Sequence, residues 1–209
     1  MSDSGNGLGQ TAATRPAADT ANFDVVAIAS SAGGLAALTE LLSALPADLP
    51  AAVLVVQHLD PRHRSLMAEI LARRTALDVK QAENGNTIET GFVYIAPPDE
   101  HLLANHDRTL SLTHSELVHF VRPSADLLFE SVAAAYRERA IAVVLTGSGS
   151  DGAMGVRAIK KMGGSVIAQN EATSEYFAMP SAAIDTGDVD FVLPIEEIAP
   201  ALVSLVVAH

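Results

Sequence analysis

The chain has 209 residues, 49% of them hydrophobic but only 4% aromatic. That length suits one domain with a substantial core, and the core must be aliphatic. The absence of cysteine excludes disulfides, thiolate zinc sites and cysteine nucleophiles. A formal net charge of −12 weighs against phosphate backbones and anionic membrane surfaces as partners.

In chain order, residues 1–22 are rich in Gly, Ser, Thr, Ala and Asn. They lack the basic start and apolar stretch of a secretory signal and are too polar to order themselves. The expectation is a flexible tail over 1–22 and one domain over 23–209. No apolar run approaches the ~20 residues that span a bilayer, so a soluble cytoplasmic protein with no membrane insertion is expected. DVVAIA (24–29) predicts a short buried strand, after which Leu35, Leu38, Leu42 and Leu45 recur at helical spacing before Pro46. AAVLVV (51–56) predicts a second buried strand, and SLMAEILARR (65–74) a second helix.

The middle of the chain changes character. FVYIA (92–96), HLLAN (101–105) and TLSLTH (109–114) are separated by short polar turns, which predicts a small antiparallel insertion. A helix is expected from Ser124 to Arg137, with Ser124 as N-cap after Pro123. Strand AIAVVL (140–145), a Gly-rich loop, helix 153–162, strand SVIA (165–168) and a final strand and helix complete the chain. The rhythm predicts an α/β fold. Its core is a three-layer α/β/α, doubly wound, mostly parallel sheet, carrying an antiparallel hairpin insertion.

In such sheets ligands bind beyond the carboxyl ends of the strands. Three strand-to-helix loops carry reactive residues there: Ser30-Ser31-Ala32-Gly33-Gly34, Gln57-His58-Leu59-Asp60-Pro61, and Thr146-Gly147-Ser148-Gly149-Ser150-Asp151-Gly152. Since neighbouring strands lie ~4.8 Å apart, a hydroxyl, an imidazole and a carboxylate from these loops suit a nucleophile, a base and an orienting acid. Each has a plainer reading as well. Ser31 is also a candidate helix cap, His58 a structural histidine, and Asp151 an N-cap for the next helix. The Gly33-Gly34 turn also suits a phosphate, although the G-x-G-x-x-G spacing is missing. Histidine pairs lie five apart, and no H-E-x-x-H occurs, so no catalytic metal is expected. The order Ser, His, Asp and the lack of a G-x-S-x-G elbow disfavour an ordinary α/β-hydrolase.

Beyond these loops, the chain contains YIAPPDEHLL (94–103), RPSADLLFESVA (122–133), LTGSGSDGAMG (145–155) and IAQNEATSEYFAMPSAAI (167–184). With Ser31-Ala32-Gly33-Gly34 and Gln57-His58, these segments resemble, in order, the catalytic domain of the chemotaxis receptor methylesterases, the CheB family. The resemblance implies Ser31 as nucleophile, His58 as base and Asp151 as the group orienting His58, with no cofactor. It implies demethylation of γ-glutamyl methyl esters on the cytoplasmic helices of methyl-accepting chemoreceptors or related sensory proteins. In many members it also implies deamidation of receptor glutamines. N–H donors for the oxyanion are expected from Ala32 and Gly33 and from the loop Gly147, Ser148 and Gly149.

Two departures accompany the resemblance. Many relatives have Thr where this chain has Ala32, and Met where it has Ser148. Residues 1–22 are also too short to form the receiver domain that family members commonly carry, so a stand-alone form is expected, leaving room for a separate regulatory partner. Arg122 is a candidate substrate contact or a salt-bridge partner of Asp126 four residues on. Asn170 and Glu171, after another strand, are candidate cleft residues, while Met179-Pro180 is expected to begin a helix. Two other classes stand beside the esterase: a CheB-like module that binds receptors or a signalling partner with little catalysis, and a nucleotide-binding regulator.

Overall fold

A computed structural model describes residues 23–58 and 65–207. The expectation of a flexible tail falls on residues outside these. Seven strands form one parallel sheet: β1 (Val25–Ser30), β2 (Ala52–Gln57), β3 (Asp78–Gln81), β4 (Phe92–Ile95), β7 (Ala140–Val144), β8 (Ser165–Gln169) and β9 (Phe191–Leu193). Between β4 and β7 lies a separate antiparallel hairpin of β5 (His101–Ala104) and β6 (Leu110–Thr113). The helices are α1 (Gly34–Ser43), α2 (Met67–Ala72), α3 (Ala125–Tyr136), α4 (Ala153–Lys161), α5 (Ala178–Ile184) and α6 (Ile195–Val207).

The order across the sheet is β3-β4-β2-β1-β7-β8-β9. β1 is the centre from which the chain first winds one way and later returns to wind the other. That reversal opens a crevice at the carboxyl end of β1, where ligands bind in doubly wound folds. β1 and β2 are buried at every position, as strands covered on both faces require.

The two faces differ in side-chain size. Ala27, Ala29, Ala52, Ala140 and Ala142 point to the face covered by α3, α4, α5 and the hairpin, where Phe129, Tyr94 and Tyr136 supply bulk. Val26, Ile28, Val53, Val55, Ile141 and Val143 point to the face covered by α1, α2 and α6. Alanine-rich strand positions lie under Phe129 and Tyr136 on one face, and branched strand residues under the leucines of α1 and α6 on the other, as a close-packed layered core requires.

One expectation for the middle of the chain is corrected, and one strand is new. Phe92–Ile95 is not part of the antiparallel insertion: it pairs in parallel with both β2 and β3. The four residues of β3 went unpredicted. Its sequence, DVKQ, has no apolar run, because it is an edge strand whose positions are only partly buried or exposed.

Candidate active site

Backbone pairing sets the site. Ser30 lies opposite Gln57 in the β1–β2 register, so Ser31 and His58 leave adjacent strands side by side. The His58 N–H donates to the Ser30 carbonyl (3.1 Å), and the Ser31 N–H to the Thr146 carbonyl beyond β7 (3.0 Å). Ser31 is therefore anchored between the strands that deliver His58 and Asp151. At that edge His58 Nε2 meets Asp151 Oδ2 at 2.8 Å, with the two side chains 14% and 4% exposed.

Asp151 does not cap the helix that follows it: the N-cap of α4 is Gly152, with no side-chain cap. It reaches instead to the start of α3. Its carboxylate accepts the Ser124 hydroxyl (2.8 Å) and the N–H groups of Ala125 (2.6 Å) and Asp126 (3.1 Å). Ser124 is the N-cap of α3, as expected, and its oxygen accepts from Leu127 N–H. Burial pushes the Asp151 pKa up, but His58, the two α3 amides and Ser124 outweigh it and hold the carboxyl below its usual range. An ionised Asp151 only accepts, so His58 Nε2 carries the proton it donates and Nδ1 is left as the acceptor. That is the reverse of the nitrogen assignment in chymotrypsin-type triads.

A polar scaffold holds the Ser31 loop. The Ser30 hydroxyl donates to Gln57 Oε1 (2.6 Å), and Gln57 Nε2 donates to the carbonyls of Ser31 (2.7 Å) and His58 (3.0 Å). Thr146 donates its hydroxyl to the Ala32 carbonyl (3.0 Å) and accepts from Tyr176 N–H (2.9 Å). Gln169 accepts the Thr146 N–H (2.8 Å) and donates to Thr173. None of these supporting roles was predicted. The signal lay in polar residues at the last position of strands buried along all or nearly all their length, Ser30, Gln57 and Gln169.

Two glycines are required by close approach. A Cβ on Gly34 would strike Gln57 Oε1 and the Ser30 side chain, and one on Gly147 would strike Met179 Sδ and, at 2.8 Å, Ser31 Cβ. The expected donor role of Gly147 is corrected: its N–H is committed to the Tyr176 carbonyl (2.9 Å). Its contribution is space beside Ser31. Among the described residues the N–H groups of Ala32, Gly33, Ser148 and Gly149 make no hydrogen bond and remain for an oxyanion. The Ser31 hydroxyl has no hydrogen bond among the described residues either.

The remaining candidates are engaged in other contacts or exposed. Arg122 pairs with Asp99 (2.7 Å) rather than Asp126, and also donates to the Ser115 carbonyl (2.6 Å). It fastens the hairpin to the approach of α3, and Asp99 is held below its ordinary pKa by the Arg122 hydrogen bond. Asn170 turns back to accept from the Thr173 N–H and hydroxyl, and Glu171 is exposed. Glu175, not singled out in the sequence, lies against Gly33. Its carboxylate opposes the phosphate that a nucleotide would bring there.

Ser31 also opens on a groove between α1 and α2, lined by Leu35, Thr39, Glu40, Met67, Ile70 and Arg74 among others. Leu35 is the one leucine of the predicted stripe that faces this groove; it is 39% exposed, whereas Leu38 and Leu42 are fully buried.

Comparisons with known proteins point to one family. The family model for CheB methylesterase matches residues 26–202. A protein-glutamate methylesterase/protein-glutamine glutaminase of Moorella thermoacetica is 43% identical over 188 residues, covering 88% of this chain and 44% of that protein. A putative protein-glutamate methylesterase/protein-glutamine glutaminase of Leptospira interrogans is 39% identical, covering 88% of this chain and 95% of that one. The chain thus spans less than half of the first relative and nearly all of the second. The crystal structure of the Thermotoga maritima CheB methylesterase catalytic domain superposes with a TM-score of 0.85 at 39% identity, covering 88% of this chain and 99% of that one. The chain belongs to the CheB methylesterase family.

Proposed function

We propose that this protein is a protein-glutamate methylesterase, acting on glutamyl methyl esters of chemoreceptor helices through Ser31, His58 and Asp151. The observation that carries the reading is the buried 2.8 Å pair of His58 and Asp151 beside the strand that delivers Ser31. His58 Nδ1 takes the Ser31 proton as Oγ attacks the ester carbonyl. The negative oxygen of the tetrahedral intermediate draws on the uncommitted N–H groups of Ala32, Gly33, Ser148 and Gly149, each such donor being worth about 10²–10³ in rate. Collapse breaks the bond to methoxide, which leaves as methanol with the proton held by His58. Water, deprotonated by His58, then cleaves the glutamyl–Ser31 ester, releasing a carboxylate and restoring the hydroxyl. Asp151 holds the imidazole and offsets its positive charge throughout. The same acyl chemistry with ammonia as leaving group deamidates a glutamine, consistent with the double name of the relatives.

The test is methanol release from a tritium-methylated chemoreceptor cytoplasmic fragment by wild type and by Ser31→Ala. Release by wild type alone is expected; equal release by both would overturn the reading. A second reading, a receptor-binding module without turnover, is favoured by the missing Ser31–His58 hydrogen bond, although such bonds are often long before substrate arrives. Receptor binding unaffected by His58→Ala, with no ester cleaved by wild type, would establish it.

A further inference from the structure

Two buried carboxylates meet where α3 and α4 begin, and the mechanism uses only Asp151. The other, Asp126, is the second residue of α3 and is 3% exposed. Its Oδ1 accepts the N–H groups of Gly152 (3.0 Å) and Gly155 (2.8 Å). In return its own N–H donates to Asp151 Oδ1 at 3.1 Å. The backbone of residue 126 thus holds the side chain of 151, while the side chain of 126 holds the backbone of 152. Asp151 accepts the first amides of α3 and Asp126 the first amides of α4, so Asp151 is gripped at both its side chain and its following backbone.

The arrangement is costly in a way a plain cap is not. Asp126 Oδ2 is buried without a hydrogen bond; His119 Nε2 stands 3.3 Å away, close enough for charge attraction but outside hydrogen-bond geometry. Burial first, and then the Asp151 charge, push the Asp126 carboxyl up, against the pull of the Gly155 amide, His119 and the Gly152 amide. Serine, threonine or asparagine caps a helix without placing a second negative charge beside a buried first one.

We propose that Asp126 is a positioning residue of the triad: by fixing Gly152 it holds the Asp151 carboxylate against His58. The proposal rests on the reading of Asp151 as the partner of His58 in catalysis. Its test uses the full chain as wild type, Asp126→Ala and Asp126→Asn, with kcat and KM measured on the methylated receptor fragment and on a small activated ester. Alongside, proton NMR follows the low-field imidazole N–H resonance of the His58–Asp151 bond, identified by its loss in Asp151→Ala. Folded Asp126→Ala is expected to lose about 10- to 100-fold in kcat with KM little changed, as a small displacement of a catalytic group does, and to lose the resonance to solvent exchange. Asp126→Asn keeps an acceptor for Gly152 and Gly155 and is expected to recover the resonance and kcat to within about threefold.

A purely structural role would lower the melting temperature but leave kcat and the resonance intact in the folded protein, and that result overturns the proposal. So does an asparagine variant as impaired as the alanine one. Should Asp126→Ala not fold, Asp126→Glu carries the test, because its longer arm displaces the acceptor; wild-type kcat with an intact resonance there overturns it equally. If wild type cleaves neither ester, the proposed function fails, and the resonance alone still decides whether Asp126 holds the pair.

Discussion

Ser31 separates two regions built on opposite terms. Behind it, at the strand ends and the start of α3, the neighbourhood is polar and buried: Ser30, Gln57, Ser124, Thr146, Asp151 and Gln169 are each exposed by 5% or less and each is hydrogen-bonded. Toward α1 and α2 it is open and largely apolar, with Leu35 and Ile70 at 39% and 42% exposure and charge confined to Glu40 and Arg74 among the described lining residues. On the proposed function, the difference separates two tasks. Proton transfer requires a carboxylate and an imidazole held within a fraction of an ångström, which a closed hydrogen-bond network supplies. Recognition of a helical substrate requires area and adaptability, which an apolar groove supplies.

The largest effects are expected on the polar side. Ser31→Ala and His58→Ala should each lower kcat by about 10³–10⁴ or more, and Asp151→Asn by a comparable factor, with little change in KM. Single-turnover release of labelled methanol measures all three. Gly147→Ala comes next. Its methyl group meets Met179 and Ser31 Cβ, so displacement of the nucleophile should cost about 10²-fold in kcat while the protein still folds, as read from its circular dichroism.

On the groove side the signature should invert. Ile70→Ser is expected to raise KM for the receptor fragment about threefold to tenfold, with kcat and the hydrolysis of a small activated ester unchanged. A fall in kcat for both substrates would erase the division between the two regions.

The smallest effects concern stability against pH, where the paired aspartates oppose each other. Asp151 has a depressed folded pKa. It therefore stabilises the fold above the ordinary carboxylate range, and that contribution is lost as pH falls through the folded value. Asp126 has a raised folded pKa, so its ionisation weakens the fold as pH rises from the ordinary carboxylate value through the raised one. Thermal melts at acid and neutral pH should show Asp151→Asn losing, and Asp126→Asn gaining, a few °C at neutral pH only, about what a single carboxylate of this kind is worth.

Much of this was legible before any coordinates. The alternation of β-branched runs with leucine stripes located β1, β2, β7 and β8 to within a residue or two, because strands buried on both faces must be apolar throughout. Ser124 after Pro123 marked the start of α3 for an equally local reason. The assignment of Phe92–Ile95 to the hairpin went astray because a four-residue apolar run carries no record of its neighbours, and its partners, Val53–Val55 and Asp78–Gln81, are distant or polar. Helical spacing offered Asp126 as one partner for Arg122, but α3 starts only at Ala125, so the i, i+4 rule does not apply and Asp99 captures the guanidinium.

The sequence by itself determined which reactive side chains lie at the carboxyl edge of the sheet, since a strand followed by a helix can release its loop nowhere else. It also determined the family, through segments whose order and chemistry persist together. Only the tertiary structure decided that Asp151 serves α3 rather than α4, that His58 turns Nε2 to the carboxylate, and that Gly147 contributes room instead of a hydrogen bond. Those outcomes depend on which backbone amides remain unpaired after the strands and helices have taken theirs. That remainder is a property of the packed chain, and no local stretch of residues contains it.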